Sequence, residues 1–484
     1  MQDEKKTSLG PGALMARALG MLAAAGLAGL LARVSGVAPE AKEVVAVSVF
    51  VLVITATLLF WNFRLAVAFI GISVLLGTKV ITLEEMTRYS ELHIILFLVG
   101  MMTLVGVLKD LGLFSWMIHS VISMKRMTGP RFCLTLMALS GVMACVVDEV
   151  TSIVFMLALV FQVCDTLKVR PVPFVLMAVM ATNIGSSGTM LGNPVGILIG
   201  TKAGLTFNDF LVWATPVTLL CLLVALTVLM VYFRRDIAML SERLEARRNE
   251  QIGLGPLVRI PYRRGLAILV AAVACIALHH PLENALGLAS NTLLLVAPLT
   301  IAGLLMIYRN KRARHYIEAE VEWWTLLFFM MLFAVAGALE ASGVTSSVAA
   351  RFTSAFGASR AVMVPVITSV TAVGSAFVDN IVFVAAFLPV VKGMGDSTLW
   401  WALLFGACFG GNITAIGSTA NIVALGMLEK RNSGKIGFFE WLKVGLLVGV
   451  VTTAVACGSI LAMHHFLPPS LQPGQQSQQG VSSP

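Results

Sequence analysis

The chain has 484 residues, of which 58% are hydrophobic and 12% charged, with a mean hydropathy of +0.90 and a formal net charge of +9. Soluble domains carry about 25% charged residues, so this composition excludes a soluble catalytic domain and describes an integral membrane protein, with apolar runs recurring from residue 13 to residue 467. The positive charge points to no nucleic-acid partner, because Lys and Arg concentrate in the connections between apolar runs, where they act as a topology signal.

Residues 1–42 read as a polar tail followed by an extra apolar span at 13–33, retained in preference to a cleaved signal peptide. Spans follow at about 43–61, 64–79 and 91–109, with an interfacial helix at 113–128. Residues 131–166 are apolar apart from Asp148 and Glu149. Two arms of about 17 residues barely cross a bilayer, which takes about 20, so a re-entrant hairpin with a polar tip is predicted. The stretch 172–201 carries Asn183 to Pro194 in its middle, and its Gly and Pro residues predict a broken helix. A span at 208–233 closes this first half.

The polar segment 234–263 is followed at once by Arg264, and across 234–264 there are eight Arg against four acidic residues, which predicts a cytoplasmic basic loop. Spans are then predicted at 264–281, 290–308 and 322–340, and an interfacial stretch at 343–358. A second hairpin at 361–391, a second broken helix at 398–428 and a last span at 440–466 follow. The tail from 467 to 484, rich in Gln, Ser and Pro, reads as disordered.

The two halves, 43–233 and 264–466, repeat. Gly112 corresponds to Gly343 and Asp148 to Asp379, both at an offset of 231 residues. Five crossings per half make the halves inverted relative to each other. The predicted fold is therefore all-α and integral to the membrane, with about 11 spans: two inverted five-span repeats plus one N-terminal span. Placing 234–263 in the cytoplasm puts the N-terminus there and the C-terminus outside a cell (inner) membrane.

A carboxylate at the bilayer centre costs about 2.5–3.5 kcal/mol, so Asp148, Glu149 and Asp379 together impose on the order of 9 kcal/mol before compensation. A bound cation, a proton or paired donors must offset that. The plainer alternative is that each Asp accepts backbone N–H bonds at its tip, as an N-cap does, and that Glu149 faces away. Half-helix N-termini suit an anion, while unwound carbonyls and hydroxyls suit Na⁺ or H⁺. The candidates are Thr151, Ser152, Asn183, Ser186, Ser187, Thr189 and Asn193 in the first half, and Asn380, Asn412, Thr414, Ser418, Thr419 and Asn421 in the second. The asparagines read as paired across the two repeats, whereas Gly192, Gly196 and Gly200 read as a packing ridge. Ser290-Asn291-Thr292 lies at a span start, not at a tip, and His279, His280, His464 and His465 read as interfacial. The seven cysteines are scattered without a CxxC pair and read as core residues, with no disulfide framework or metal site.

At these motifs the chain resembles the ion transporter superfamily, in particular its ArsB/NhaD-type arsenite-efflux and sodium–proton-antiporter permeases, which share a citrate-transporter-like domain. Gly411-Asn412-Ile413-Thr414-Ala415-Ile416-Gly417-Ser418-Thr419-Ala420-Asn421, Asp379-Asn380-Ile381 and the span from Trp324 to Gly343 carry the likeness. The first half departs from it. Asp148-Glu149-Val150-Thr151-Ser152 stands where the family has DNVTT, and Gly192-Asn193-Pro194-Val195-Gly196 where it has GDPPN. One acid has moved onto the hairpin tip and one has left the broken helix, so neither arsenite nor Na⁺ specificity carries over by name. The resemblance implies scaffold and transport subdomains, an elevator-like movement and a homodimer.

The sequence thus reads as a secondary active transporter of a small ion coupled to H⁺ or Na⁺, by Na⁺/H⁺ antiport or by H⁺-coupled arsenite-type efflux. It is not expected to be an enzyme or to hold a cofactor beyond a bound Na⁺. Na⁺-coupled uptake of a carboxylate or oxyanion stands as the alternative. An ion channel and an intramembrane aspartyl protease are readings of a different class; neither Asp sits in the Gly-x-Gly-Asp setting that a protease needs.

Overall fold

The computed structural model describes residues 11–60, 63–124, 126–249, 260–289, 291–357, 359–431 and 435–463. Expectations for the two tails, for His464 and His465, and for Ser290 lie outside the described residues, as does the 250–259 part of the basic segment. Every regular element among the described residues is helical.

Helices α1 (Pro11–Val34), α2 (Ala41–Leu59), α3 (Arg64–Gly77), α4 (Leu83–Tyr89), α5 (Leu92–Asp110) and α6 (Leu113–Ile122) open the chain. Next come α7 (Gly129–Val146), α8 (Glu149–Leu167), α9 (Val172–Gly185), α10 (Pro194–Ala203) and α11 (Phe207–Tyr232), the last with a π-turn at Phe210–Ala214. They are followed by α12 (Arg234–Asn249), α13 (Arg263–Ala277), α14 (His279–Leu286) and α15 (Thr292–Tyr308), then an irregular helical arm, Asn310–Glu320. The chain continues through α16 (Trp323–Ala341), α17 (Val344–Phe356), α18 (Arg360–Phe377), α19 (Asn380–Met394), α20 (Thr398–Gly410), α21 (Thr419–Lys430) and α22 (Phe438–Met463).

Among the described residues nine helices are long and apolar enough to cross a membrane, or up to 11 if the bent pairs α13/α14 and α15/arm each make one span. This agrees in number with the predicted eleven but not in membership. Helices α7 and α8, predicted as short hairpin arms, have 18 and 19 residues and both qualify. At about 1.5 Å rise per residue each reaches roughly 27 Å, so arm length is no argument for a re-entrant dip in the first half. In the second, α19 has 15 residues and stays in the shorter class. Two further differences concern polar sequence. The start of the basic segment is a 16-residue helix, α12, because Ile237, Leu240 and Leu244 fall on one buried stripe. A short helix, α4, forms where no element was predicted, held by a capping box in which Glu85 N donates to Thr82 Oγ1 (3.2 Å) and Thr82 N to Glu85 Oε2 (2.8 Å).

The chain divides into two compact units. The first comprises Met1–Ile95, Trp323–Gly357 and Ala385–Met394. Within it α2 packs on α3 where Gly71 meets Val49 and Val53, and α16 meets α4 where Gly337 faces the Tyr89 ring. The Arg64 guanidinium lies 4.7 Å from the centre of the Phe328 ring, so this buried cation sits on an aromatic face. The second unit comprises Leu96–Glu322, Ala358–Val384 and Gly395–Pro484, and every candidate site residue named above belongs to it.

Candidate functional site

Both predicted broken helices are present. The first is interrupted between Gly185 and Pro194, the second between Gly410 and Thr419. Close packing explains the glycines at the breaks. A Cβ on Gly185 would overlap the backbone of Gly141 in α7, and one on Gly410 would overlap the backbone of Ala372 in α18. Each second half-helix then starts from a polar cap: Gly196 N donates to Asn193 Oδ1 at 2.8 Å, and Ala420 N to Ser418 Oγ at 3.2 Å.

The contacts that fasten each break to its neighbouring helix pair occur twice. Thr189 donates its hydroxyl to the carbonyl of Cys145, three residues before Asp148, and accepts from Leu191 N at 3.2 Å. Thr414 donates to the carbonyl of Ala376, three residues before Asp379, and accepts from Ile416 N at 3.3 Å. The offset is 225 residues at the breaks and 231 at the tips, so the sequence repeat is matched by a repeat of local contacts.

The asparagines do not follow that repeat. At the 225 offset Asn183 corresponds to Cys408, and Asn412 to Ser187. They nevertheless converge. Asn183 Nδ2 donates to Asn412 Oδ1 (2.9 Å) and to Asn421 Oδ1 (2.8 Å), while its Oδ1 accepts from Ser418 Oγ (3.1 Å). Asn421 Nδ2 in turn donates to the carbonyls of Gly411 and Thr414, both at 2.8 Å. One side chain from the last turn of α9, just before the first break, therefore holds both ends of the second. Asn193 lies apart from this set and donates to Ser186 Oγ (2.8 Å) and Cys408 Sγ (3.1 Å). Ser187 shares a 2.8 Å hydrogen bond with Thr218 and also donates to Ile184 O.

At the tips, Asp148 is the N-cap of α8, with Thr151 N donating to its Oδ1 at 2.7 Å. Asp379 Oδ1 accepts from Ile381 N at 3.2 Å and its Oδ2 from Thr419 Oγ1 at 2.6 Å. The capping role expected of both aspartates is thus real, and the second tip also reaches a broken helix. Asn380 is buried, with its Oδ1 accepting from Ile381 N. Glu149 does not face away: it is 4% exposed, and Ser186, Asn380 and the carboxylates of Asp379 and Asp148 surround it. Its Oε2 has no hydrogen-bond partner, and the same holds for Ser152 Oγ and Asn412 Nδ2. Among the described residues no Lys, Arg or His forms an ion pair with Asp148 or Glu149. No three His, Cys, Asp or Glu residues among them converge in a metal-holding group.

Sequence reasoning passed over Cys408, Thr218 and Trp441, whose Nε1 donates to Asn412 O at 3.1 Å. Cys408 carried a usable signal, its 225-residue offset from Asn183. Asn291 N and Leu293 N both donate to the buried Glu283 carboxylate, so Asn291-Thr292 is a helix start. His279 is buried with Nδ1 2.7 Å from Ile276 O, a local structural contact.

The model of the citrate transporter family matches residues 50–406. The chain belongs to the citrate transporter family. An uncharacterized transporter of Mycobacterium tuberculosis (strain H37Rv) is 34% identical over 381 residues, covering 75% of this chain and 84% of its own length. A 46 kDa membrane protein of Mycobacterium leprae is 31% identical over 413 residues, covering 80% and 91%. Among solved structures, the Alcanivorax borkumensis YdaH transporter superposes with a TM-score of 0.52 at 18% identity, over 83% of this chain and 90% of its own. This last likeness concerns the fold alone. As a member of the citrate transporter family, the chain is a multi-pass membrane transporter of a small substrate and not an enzyme.

Proposed function

We propose that this citrate transporter family member is a secondary active carrier of a small ion, coupled to H⁺ or Na⁺ through Asp148, Glu149 and Asp379. The observation that carries the reading is Glu149, a buried acid with an unpartnered oxygen, facing two further carboxylates and no basic counter-ion of its own. Such a set is tolerated in a bilayer only when protons neutralise it or a cation binds to it. The duplicated fastening at Thr189 and Thr414 supports two repeats; five crossings in each would invert them, and the basic segment from Arg234 would set the N-terminus in the cytoplasm and the C-terminus outside an inner membrane. The broken helices supply hydroxyls and carbonyls beside the carboxylates, as a Na⁺ site requires.

Within this class the site favours cation handling, by Na⁺/H⁺ antiport or by H⁺-coupled efflux of an arsenite-type species, over direct capture of a naked anion. A second reading, Na⁺-coupled uptake of a carboxylate, is favoured by the family's description as citrate transporters and by the two half-helix N-termini capped at Asn193 and Ser418. Purified protein in proteoliposomes with a pH-sensitive dye separates the two. Dissipation of an imposed pH gradient by Na⁺ or Li⁺ alone supports antiport. Flux that requires citrate and Na⁺ together supports uptake. A conductance without stoichiometric coupling contradicts both and makes the protein a channel.

A further inference from the structure

Outside the site, one end of the second unit gathers basic side chains beside lipid-type surface. Arg264 at the start of α13 donates from Nη1 to Tyr308 Oη at the end of α15 (3.2 Å), so the first residues of one helix and the last of the other lie at the same end of a packed pair. The arm Asn310–Glu320 then bends 106° away from α15. That turn carries Lys311, Arg312 and Arg314 across the helix end instead of along its axis.

Acidic neighbours engage part of this charge. Arg312 Nη1 donates to Asp110 Oδ2 at 2.7 Å, Arg309 lies 3.7 Å from the same oxygen, and Arg314 pairs with Glu318 at 2.6 Å. Arg263, Arg264 and Lys311 are exposed and form no ion pair among the described residues. Immediately along the same two helices the surface becomes apolar, with Val270 59%, Leu304 62% and Ile307 74% exposed. An apolar face this open on a membrane transporter is a lipid-facing face, and the basic groups stand where it ends.

We infer that Arg263, Arg264 and Lys311 form a binding site for the headgroup of an anionic phospholipid, whose acyl chain lies along Leu304, Ile307 and Val270. Charge complementarity and the adjoining apolar strip select this occupant. A free phosphate would use the cations and gain nothing from the strip, whereas a zwitterionic lipid would use the strip without net attraction to the cations. The arm, fixed to α5 through Asp110, holds Lys311 in place.

The test is titration of the detergent-purified full-length protein with fluorescently labelled phosphatidylglycerol, competed by unlabelled phosphatidylglycerol, phosphatidylcholine and inorganic phosphate. Phosphatidylglycerol alone is expected to compete. Lys311→Gln should weaken binding about fivefold, and R263Q/R264Q/K311Q on the order of a hundredfold. Lys311 is exposed and its side chain has no hydrogen-bond partner among the described residues, so the single variant keeps the fold, and its thermal midpoint verifies this. Equal competition by phosphatidylcholine, effective competition by phosphate, or wild-type affinity in the well-folded single and triple variants each overturns the inference.

Discussion

Thr419 donates its hydroxyl to Asp379 at 2.6 Å, joining the first residue of a half-helix to the carboxylate at the tip of the second helix pair. In the first half the corresponding position is Pro194, which has no hydroxyl to donate, and Asp148 caps its own helix. The two aspartates are therefore repeated in place but not in partnership.

Thr419→Val removes that donor while keeping the shape. A hydrogen bond to a charged group contributes about 1.5–3 kcal/mol, so the apparent affinity for the coupling ion should change roughly tenfold or more. Thr419→Ser should restore it. The measurement is coupled flux against coupling-ion concentration in proteoliposomes, with no change in either variant as the contrary outcome.

Asn183 is 1% exposed and bonds three side chains of the second break. Asn183→Leu leaves buried acceptors on Asn412 and Asn421 without their shared donor. A loss of about 2–4 kcal/mol is expected, read as a lowered thermal midpoint in detergent. A fold-neutral result would mean the two breaks are not tied through this residue.

Glycine substitutions separate close approach from helix propensity. Gly185→Ala and Gly410→Ala force a Cβ into backbone of the neighbouring helix, and each should cost about 1–3 kcal/mol. Gly303→Ala in α15 meets nothing within 4 Å and should be neutral or stabilising by up to about 1 kcal/mol. Thermal denaturation of the three variants side by side checks the order.

Glu149 has an unpartnered oxygen in a buried setting. Glu149→Gln keeps its size and removes a buried charge that has no basic partner, so stability should be retained or rise. Coupled transport should lose much of its dependence on pH, measured as flux across a pH series. An unaltered pH profile would assign the coupling to the aspartates alone.

Much of this was legible in the sequence because the bilayer forces polar residues to declare themselves. Asp148, Asp379 and the Asn/Gly/Ser/Thr clusters stand out against apolar runs, and the helix breaks fall where Gly185, Pro194, Gly410 and Ser418 put them. Side-chain direction was not legible. Nothing in the spacing said that Glu149 faces Asp379, or that Asn183 bonds across to Asn412 and Asn421, because those meetings depend on how helices separated by more than 200 residues pack. Helix α12 was misread for a related reason. Its buried stripe of Ile237, Leu240 and Leu244 is thin, and the arginines around it dominate the composition.

The most direct measurement is coupled transport by Asp379→Asn and Asp148→Asn in proteoliposomes, with folding confirmed by thermal midpoint. The expected result is that Asp379→Asn abolishes ion-driven pH-gradient dissipation and Asp148→Asn reduces it at least tenfold, both proteins remaining folded. Full coupled flux in both variants would contradict the account and leave the two carboxylates as helix caps.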